Sequence, residues 1–396
     1  MGHQRERGCS LSARRGRLEG VVSEKRPLDE GFVSRVRRRG MRTGFTTGAC
    51  AAAGARAATQ ALLRQAAIQE VTIHLPAGFD ATFAVQRCEV GPNEALCSIV
   101  KDGGDDPDVT HGAEIVSRVG WAFEPGLHLR GGSGVGVVTR PGLGLEVNGP
   151  AINPVPRRMI AESVTAALQE AGAAGRGVWV EISVPRGEEM AKKTLNGRLG
   201  IVGGISILGT SGVVHPYSTA SWRASVEQAI DVGAANGIDH VVLSTGGRSE
   251  QFAQKLLGLP ELAFVEMGIF TGHALRRAVR NHMRAATLTG MVGKFSKLAQ
   301  GHFQTHVAGN QVDTEFLADL ALSSGAPPDT VAAIRTANTA RHVQELLVGA
   351  GRESAFCARL AALVRERSRA YVHHALDIET VLFDFDGTVL GRSPEA

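Results

Sequence analysis

The second half of the chain repeats one pattern, in which a short apolar run leads into a glycine-rich loop and then a helical segment. The pattern occurs in "GGISILGTSG" (203–212), "GIDHVVLSTGG" (237–247) and "ELAFVEMGIF" (261–270). Such repeats are typical of βαβ units, whose parallel strands form a sheet with crossover helices on its faces. The pattern therefore predicts a C-terminal α/β domain with a mostly parallel, Rossmann-like sheet.

The first half has a different rhythm. The segment "MRTGFTTGACAAAGARAATQALLRQ" (41–65) predicts a turn and then a helix that Thr46 or Thr47 caps. Alternating strand-like runs follow, and a helix near 157–172 precedes a further strand in "GVWVEISVPRG" (177–187). This mixture indicates an N-terminal α+β domain with a mixed sheet.

The sequence thus predicts a two-domain chain that combines α+β and α/β parts. The break between the halves is expected near 190–205, at "KKTLNGRLGIVGG". The predicted regions are a basic, disordered extension (1–39), the α+β domain (40–195), the α/β domain (196–375) and a C-terminal strand–turn–strand (376–396).

Charge and cysteine usage exclude several classes of function. The net charge of +4 arises in residues 1–40, which hold eleven Lys/Arg and five Asp/Glu, while the remainder has 32 basic and 34 acidic residues. The body is therefore nearly neutral, and nucleic acid is not an expected partner. The five cysteines are scattered without CxxC spacing, which argues against a zinc knuckle or a disulfide framework and fits a reducing cytoplasm. No apolar run reaches about 18 residues, so no membrane span is expected.

One loop is dense in carboxylates. The segment "VKDGGDDPDVTHGAE" (100–114) places four aspartates beside Lys101. Carboxylates this close repel one another unless they bind a cation, accept hydrogen bonds or stay solvated. Composition alone favours a solvated loop, but a buried aspartate here could accept a proton or hold a cationic ligand. The candidate bases are Asp102, Asp105 and Asp106.

The glycine loops of the second half are the candidate cofactor site. Ligands of parallel sheets bind at the carboxyl ends of the strands, although each loop could also be merely a tight turn. We expect a buried strand at 205–208 whose loop shares one sheet edge with the loops at 245–247 and 266–270. The candidate residues are Gly203, Gly204, Ser206, Gly209, Thr210, Ser211, Thr245, Gly246 and Gly247.

Two segments supply cations. Arg157 and Arg158 open a helix, where positive charge opposes the helix dipole, so they are either solvated or hold an anion such as a carboxylate. The second segment is "GMVGKFSKLAQGHFQTHVAGNQVDTE" (290–315), which carries Lys294 and Lys297.

The same segment holds His302 and His306, which on a helix would share one face because they are four residues apart. Neither belongs to an HExxH motif, so no metal site is predicted. Acid–base work, anion binding or an exposed loop position are the alternatives.

The run "TVLFDFDGTVLG" (380–391) resembles the nucleophile motif of haloacid dehalogenase-type phosphatases, with Asp384 as nucleophile and Asp386 as acid/base. Such an enzyme needs a Lys and further carboxylates downstream, and only ten residues follow Asp386. Asp386-Gly387 between two apolar runs instead predicts a hairpin turn.

Five segments in order resemble one family. They are "MRTGFTTGACAAAGARAA", "VKDGGDDPDVTHGAEI", "GVGVVTRPGLGLEVNGPAINPVPRRMI", "GGISILGTSGVVHPYS" and "GKFSKLAQGHFQTH". Over about residues 40–391 the chain is similar to the CbiD family of anaerobic cobalamin biosynthesis. The resemblance implies that S-adenosylmethionine methylates C1 of a contracted, cobalt-bearing macrocycle with many carboxylates.

The resemblance implies a role for each candidate. Methyl transfer needs desolvation and alignment, and a base assists if the ring loses a proton. The implied base is Asp102, Asp105 or Asp106, with His306 behind them, and S-adenosylmethionine is expected over the glycine loops. The expected substrate-binding residues are Arg42, Thr46, Thr47, Gly48, Lys101, Arg157, Arg158, Lys294, Lys297 and His302.

Two other functions stay open on sequence grounds. A non-catalytic tetrapyrrole carrier would have the same basic side chains but would not need S-adenosylmethionine. A phosphatase would depend on Asp384. A homo-oligomer is compatible with the sequence, which does not decide the oligomeric state.

Overall fold

The structure is a computed structural model that describes residues 40–305 and 312–393. The predicted basic extension (1–39) lies outside these ranges. Within them, no helix has the length and apolar character needed to cross a bilayer.

The elements of the N-terminal half are, in chain order, β1 (Gly44–Phe45), α1 (Thr47–Arg64), β2 (Glu70–Leu75), β3 (Phe79–Ala84), β4 (Arg87–Val90), β5 (Glu94–Val100), β6 (Glu114–Trp121), β7 (Leu127–Gly131), β8 (Gly134–Val135), β9 (Val137–Val138), α2 (Pro154–Glu170), β10 (Val178–Ser183), α3 (Gly187–Ala191), β11 (Ile201–Val202), β12 (Gly204–Ile205) and β13 (Val213–Val214).

The elements of the C-terminal half are α4 (Thr219–Ala235), β14 (His240–Ser244), α5 (Gly247–Leu257), a 3₁₀ turn (Glu261–Ala263), β15 (Phe264–Glu266), α6 (Thr271–Arg280), β16 (Ala285–Gly290), α7 (Val292–Ala299), α8 (Thr314–Ser323), α9 (Pro328–Arg335), α10 (Ala340–Gly349), α11 (Glu353–Tyr371), β17 (Asp377–Phe383) and β18 (Val389–Arg392).

The N-terminal half is built on a mixed sheet with the order β4-β5-β6-β10-β7, in which β10 runs antiparallel to β6 and parallel to β7. Helix α1 lies against β5, β6 and α2 and is almost entirely buried. Its alanines permit this close approach, and a Cβ at Gly54 would come 2.7 Å from Ser117 Oγ on β6. The predicted α+β part is confirmed.

The C-terminal half contains a sheet with the order β15-β14-β16-β17-β18, whose first four strands are parallel. Its core comprises a large apolar cluster between one face of the sheet and its helices, and a smaller cluster, which includes Val242, Phe264 and Phe383, on the other face. The predicted Rossmann-like sheet is confirmed. Strand β14 lies between β15 and β16, so the connection from β14 to β15 and the connection from β16 to β17 run in opposite directions.

The expectation that 205–208 forms a strand of the parallel sheet is wrong. Residues Gly204–Ile205 form the two-residue strand β12, which pairs with β8 of the N-terminal half. Strands β11 and β13 likewise pair with β9 and β1. A short apolar run flanked by glycines does not specify its partner strand, and here the partners lie in the first half. The domain bounds given above stay a prediction.

The chain reaches β18 through the predicted hairpin. Strands β17 and β18 are antiparallel, Asp386 Oδ1 accepts from Thr388 N at 2.9 Å, and Gly387 has φ +96°. The Asp386-Gly387 turn is therefore confirmed. Asp384 accepts hydrogen bonds from Arg341 at 3.1 Å and from Gln344 at 3.2 Å, so its carboxylate is already engaged.

Candidate functional site

A cavity of about 1110 Å³ opens at the carboxyl ends of β14 and β16. The loop after β14 contributes 245–249, and the loop and helix after β16 contribute 291–294. Neighbouring strands whose connections diverge leave a crevice at this edge, which is the ligand position typical of open α/β sheets. We call this space the switch-point cavity.

The two loops are drawn together by contacts between the strand ends. Thr245 N donates to Thr289 O at 2.9 Å, and Ser244 Oγ lies 2.7 Å from Thr289 Oγ1. A Cβ at Gly290 would come 2.6 Å from Thr245 Oγ1, so the close approach depends on that glycine. The cavity floor is thus a rigid part of the sheet edge.

Helix α7 carries two cations into the cavity. Lys294 and Lys297 are three residues apart and therefore lie on one face of the helix. Lys294 donates to Thr245 O, which fixes it across the two loops. Burial lowers the pKa of Lys294, Glu266 opposes that change, and Lys297 adds to it when it is protonated.

The other walls come from segments that are distant in sequence. Arg248 on α5 and Arg341 on α10 add two further cations, and Phe385 lies in the hairpin after β17. Arg341 stacks over the Phe385 ring at 5.0 Å from its centroid. Among the described residues that line the cavity there is no Asp or Glu, so the space carries positive charge.

One buried hydroxyl of the same cavity makes no hydrogen bond to any residue that the structure describes. Thr305 is 1% exposed, and its Oγ1 has no hydrogen-bond partner within the described ranges. An unpaired buried polar atom costs free energy unless a ligand or water satisfies it. The unsatisfied Oγ1 of Thr305 therefore indicates that the cavity receives a polar molecule.

A second cavity of about 290 Å³ lies against the start of α1. It is lined by the predicted residues Thr46, Thr47, Lys101 and Ser206, together with leucines and isoleucines. The predicted cofactor residues therefore lie in two different cavities. The switch-point cavity is lined by Thr245, Gly246 and Gly247, and the smaller cavity by Ser206.

The remaining predicted cofactor residues serve as connections within the N-terminal half. Gly204 is part of β12, and Ser211 Oγ bonds Val213. Gly209 has φ +133°, and a Cβ there would overlap Thr46. Gly203 and Thr210 are exposed and line neither cavity. The expectation of three glycine loops on one sheet edge is wrong for 203–211, because that segment packs against α1.

The start of α1 does not offer the open N–H groups that the sequence suggested. Gly48 N donates to Leu208 O at 3.0 Å, and Ala49 N donates to Thr46 Oγ1 at 3.2 Å. Thr46 is indeed the N-cap, as expected. Thr47 Oγ1 accepts from Leu208 N at 2.9 Å, so the helix start holds the 206–212 segment instead of a ligand.

The acidic loop is mainly structural. Asp102 pairs with the Arg42 guanidinium, and Asp105 Oδ2 accepts from Arg42 N at 2.6 Å. Asp106 Oδ1 accepts from Tyr217 N at 2.8 Å. The hydrogen bond from Arg42, with the opposite charge, lowers the pKa of Asp102. None of these three candidate bases lines either cavity, so the structure does not bring them to the predicted site.

The fourth aspartate, which is not among the predicted bases, has the most specific environment. Asp108 Oδ2 accepts from Lys101 Nζ at 2.7 Å, and Asp108 Oδ1 accepts from Thr110 N and Oγ1 at 2.7 and 2.6 Å. Burial acts to raise the pKa of Asp108, but the bonds from Lys101 and Thr110 outweigh it and the pKa is lowered. Lys101 is thus committed to an ion pair at the smaller cavity.

The other predicted site residues that the structure describes, two arginines and a histidine, are not found together in one site. Arg157 donates from Nε to Ile152 O at 2.7 Å and from a terminal nitrogen to Pro150 O, so it closes its own loop. Arg158 is exposed and lies 4.0 Å from Glu162. His302 is exposed after the end of α7, not on a helix face. His306 lies outside the described residues.

Comparison with known proteins places the chain in a family. Residues 34–216 match the family model described as CbiD, and residues 304–394 match the model described as CbiD, C-terminal domain. A solved structure of the cobalamin biosynthesis protein CbiD from Archaeoglobus fulgidus is 29% identical and covers 66% of this chain and 81% of that one, with a TM-score of 0.36.

Curated relatives match over most of the length. A protein of Geobacillus sp. (strain WCH70) is 51% identical over 360 residues, which are 89% of this chain and 96% of the relative. One from Rubrobacter xylanophilus is 51% identical over 92% of this chain and 94% of the relative. Both are named cobalt-precorrin-5B C(1)-methyltransferase. At this identity and coverage, the chain belongs to the CbiD family.

Proposed function

We propose that the chain catalyses methylation of C1 of cobalt-precorrin-5B, using S-adenosylmethionine as methyl donor. The names of relatives at 51% identity support the reaction. The geometry of the switch-point cavity supports its location, and the observation that carries the proposal is that one cavity joins a predicted donor loop to predicted substrate cations.

The shared cavity matters because methyl transfer is an in-line displacement, in which the attacking carbon, the methyl group and the sulfur are aligned. The sulfonium methyl and the nucleophilic carbon must meet without intervening water, and positioning of this kind can contribute about 7–11 kcal/mol to lowering a barrier. Loop 245–247 and the two α7 lysines line the same space. Its volume of about 1110 Å³ exceeds the roughly 300–1,000 Å³ of ordinary ligand pockets. A cavity of that size can hold the methyl group of the donor together with the reacting edge of the macrocycle.

The residues at the β14 loop fit a methyl donor. A Cβ at Gly246 would meet no protein atom within 4 Å, so the loop leaves open space where a ligand can approach the backbone. Thr305 Oγ1 offers a hydroxyl that bonds no residue of the described ranges. When bound, S-adenosylmethionine supplies an electrophilic methyl group on sulfur; the chain's own residues orient it and exclude water.

The cations fit the other reactant. A cobalt-precorrin carries many acetate and propionate arms, and Lys294 and Arg248 present positive charge to a cavity whose described lining includes no Asp or Glu. Arg341 adds a third cation, which also pairs with Glu345 and Asp384. Charge-assisted hydrogen bonds to carboxylates are about twice as strong as neutral ones. These side chains would hold the macrocycle by its periphery while C1 faces the donor.

The test is methyl transfer from labelled S-adenosylmethionine, with the cobalt-precorrin substrate generated in the same tube by the enzymes that precede this step. We expect label in the macrocycle only when this protein is present. Lys294→Met should raise KM for the macrocycle, whereas Lys255→Met, an exposed lysine on α5, should not.

Two outcomes would count against the proposal. Binding of the macrocycle without label transfer, with substrate and donor both shown to be present, would favour a carrier. Equal KM values for the Lys294 and Lys255 variants would remove the switch-point cavity as the substrate site.

A further inference from the structure

Lys294 and Lys297 share a helix face but differ in their contacts. Lys294 donates to Thr245 O and is influenced by Glu266. Lys297 is 6% exposed and lines the cavity, and its ammonium nitrogen has no ion pair or hydrogen bond among the residues described. A lysine that is largely buried and has no countercharge is less stable as a cation than a fully solvated one, which favours its neutral amine.

The proposed reaction creates a demand for such an amine. The electron pair of the ring nucleophile forms the new C–C bond at C1, while the C–S bond breaks and its electron pair stays on sulfur. The macrocycle has then gained one positive charge. Loss of one proton elsewhere on the conjugated ring, with its bonding pair returning to the ring, restores the former charge.

The predicted bases that lie within the described residues are not placed to take that proton, and His306 lies outside those residues. Asp102, Asp105 and Asp106 hold Arg42 and Tyr217 and line neither cavity. Asp108 lies at the smaller cavity and is bonded to Lys101 and Thr110. His302 is exposed and is not a cavity residue.

We propose that Lys297 is the catalytic base, taking the ring proton released on methylation of C1 onto its neutral Nζ. The inference rests on the proposed function and adds a residue role to it. Lys294, whose ammonium donates to Thr245 O and lies near Glu266, keeps the role of a carboxylate-binding residue.

The surroundings of Lys297 support its neutral form. Burial lowers the pKa of Lys297. The charged groups that line the cavity beside Lys297 are the cations Lys294 on the same helix, Arg248 on α5 and Arg341 on α10. Glu266, at the end of β15, is the carboxylate that acts on Lys294. Asp384, near the end of β17, is engaged by Arg341. Helix α11 packs on α7, and its buried Cys357 stays a neutral thiol because burial raises its pKa to about 12.

The test separates a base from a carboxylate-binding cation. Lys297→Arg keeps a positive charge but cannot act as a base near neutral pH. We expect kcat to fall about 100-fold or more, the usual contribution of a general base, with KM changed only a few-fold. Lys255→Arg should leave both constants unchanged, since Lys255 is exposed on α5.

Two further measurements keep the result independent of folding. In the wild type, kcat should rise with pH until Lys297 is deprotonated, and this limb should be absent in Lys297→Ala. Added small primary amines should restore turnover to Lys297→Ala, more effectively as their basicity rises. A merely structural lysine would give neither behaviour.

Several results would overturn the proposal. A Lys297→Arg variant with wild-type kcat, or one whose loss lies wholly in KM, would make Lys297 a binding residue. Loss of the pH limb in His306→Gln with Lys297 intact would assign the base to His306. A wild-type protein that transfers no methyl group would overturn the proposed function together with this inference.

Discussion

Lys101 Nζ lies 2.7 Å from Asp108 Oδ2, and the lysine side chain that makes this ion pair is 1% exposed. Asp108 is about a quarter exposed, at 25%, so the pair sits at the border between protein interior and cavity. The aspartate also holds Thr110 N and Oγ1. Removing either member leaves the other partly or fully buried without its countercharge.

We therefore expect Asp108→Asn to lower the free energy of unfolding by about 3 kcal/mol, at the low end for broken buried pairs because Asp108 is partly exposed. Lys101→Met with Asp108→Asn together should lose less than the sum of the single changes. Urea unfolding of the four proteins measures this coupling. Lys255→Met is the surface control and should change stability by less than about 0.5 kcal/mol. Strict additivity would contradict the pairing.

The same carboxylate gives a pH prediction. The pKa of Asp108 is lowered in the folded state, so the unfolded state binds more protons as the solution is acidified. Its stabilising contribution is fully present above the unfolded pKa of about 3.9 and is lost as pH falls through the lower folded value. Unfolding free energies measured from pH 7 down to pH 3 should therefore fall less steeply in Asp108→Asn than in the wild type. Parallel curves would contradict this assignment.

Gly104 should not tolerate a side chain. It has φ +65°, and a Cβ there would overlap the Arg42 carbonyl, where the acidic loop crosses the segment before α1. Gly112 has a similar φ of +75°, but a Cβ there would meet no atom within 4 Å, so it isolates the backbone effect. We expect Gly104→Ala to lower the melting temperature clearly more than Gly112→Ala. Equal shifts would show that the crossing is loose.

Gly246→Ala should separate binding from folding. The residue has φ 179°, which any amino acid adopts, and the added methyl group would meet no protein atom within 4 Å. Stability should stay within about 0.5 kcal/mol while the dissociation constant for S-adenosylmethionine, measured by calorimetry, rises roughly tenfold, equivalent to about 1.4 kcal/mol. Gly349→Ala, at the end of α10 and equally open, is the matched control. Unchanged donor binding in Gly246→Ala would move the donor away from this loop.

Local sequence signals predicted the features that depend on local chemistry. The Thr46 cap, the parallel sheet after residue 237 and the Asp386-Gly387 turn all follow from neighbouring residues and were confirmed. The strand partner of segment 203–212 could not be predicted, because its three apolar residues, Ile205, Ile207 and Leu208, would fit against either half of the chain. The prediction of a base in the acidic loop was wrong for a related reason. The composition of the loop does not reveal that Arg42 and Tyr217 bond its carboxylates.

The site was only partly predictable for the same physical reason. Lys294, Lys297 and the 245–247 loop were found because each follows a recognisable strand or glycine turn. Arg341 and Phe385 were missed because a helix that contributes one arginine, or a hairpin that contributes one ring, has no signal that points to a cavity. A search for cations on helices that cover the carboxyl edge of the sheet could have suggested Arg341.

The walls of the switch-point cavity have a consequence for folding. Thr245 and Arg341 face the same space although they are about a hundred residues apart along the chain, so the cavity requires long loops to close before it exists. A ligand that bridges these walls acts as a non-covalent clip and stabilises the assembled state by mass action, by about 2.7 kcal/mol at a hundred times its dissociation constant. As the site fills with ligand, helix α10 should therefore detach less often from the edge of the sheet.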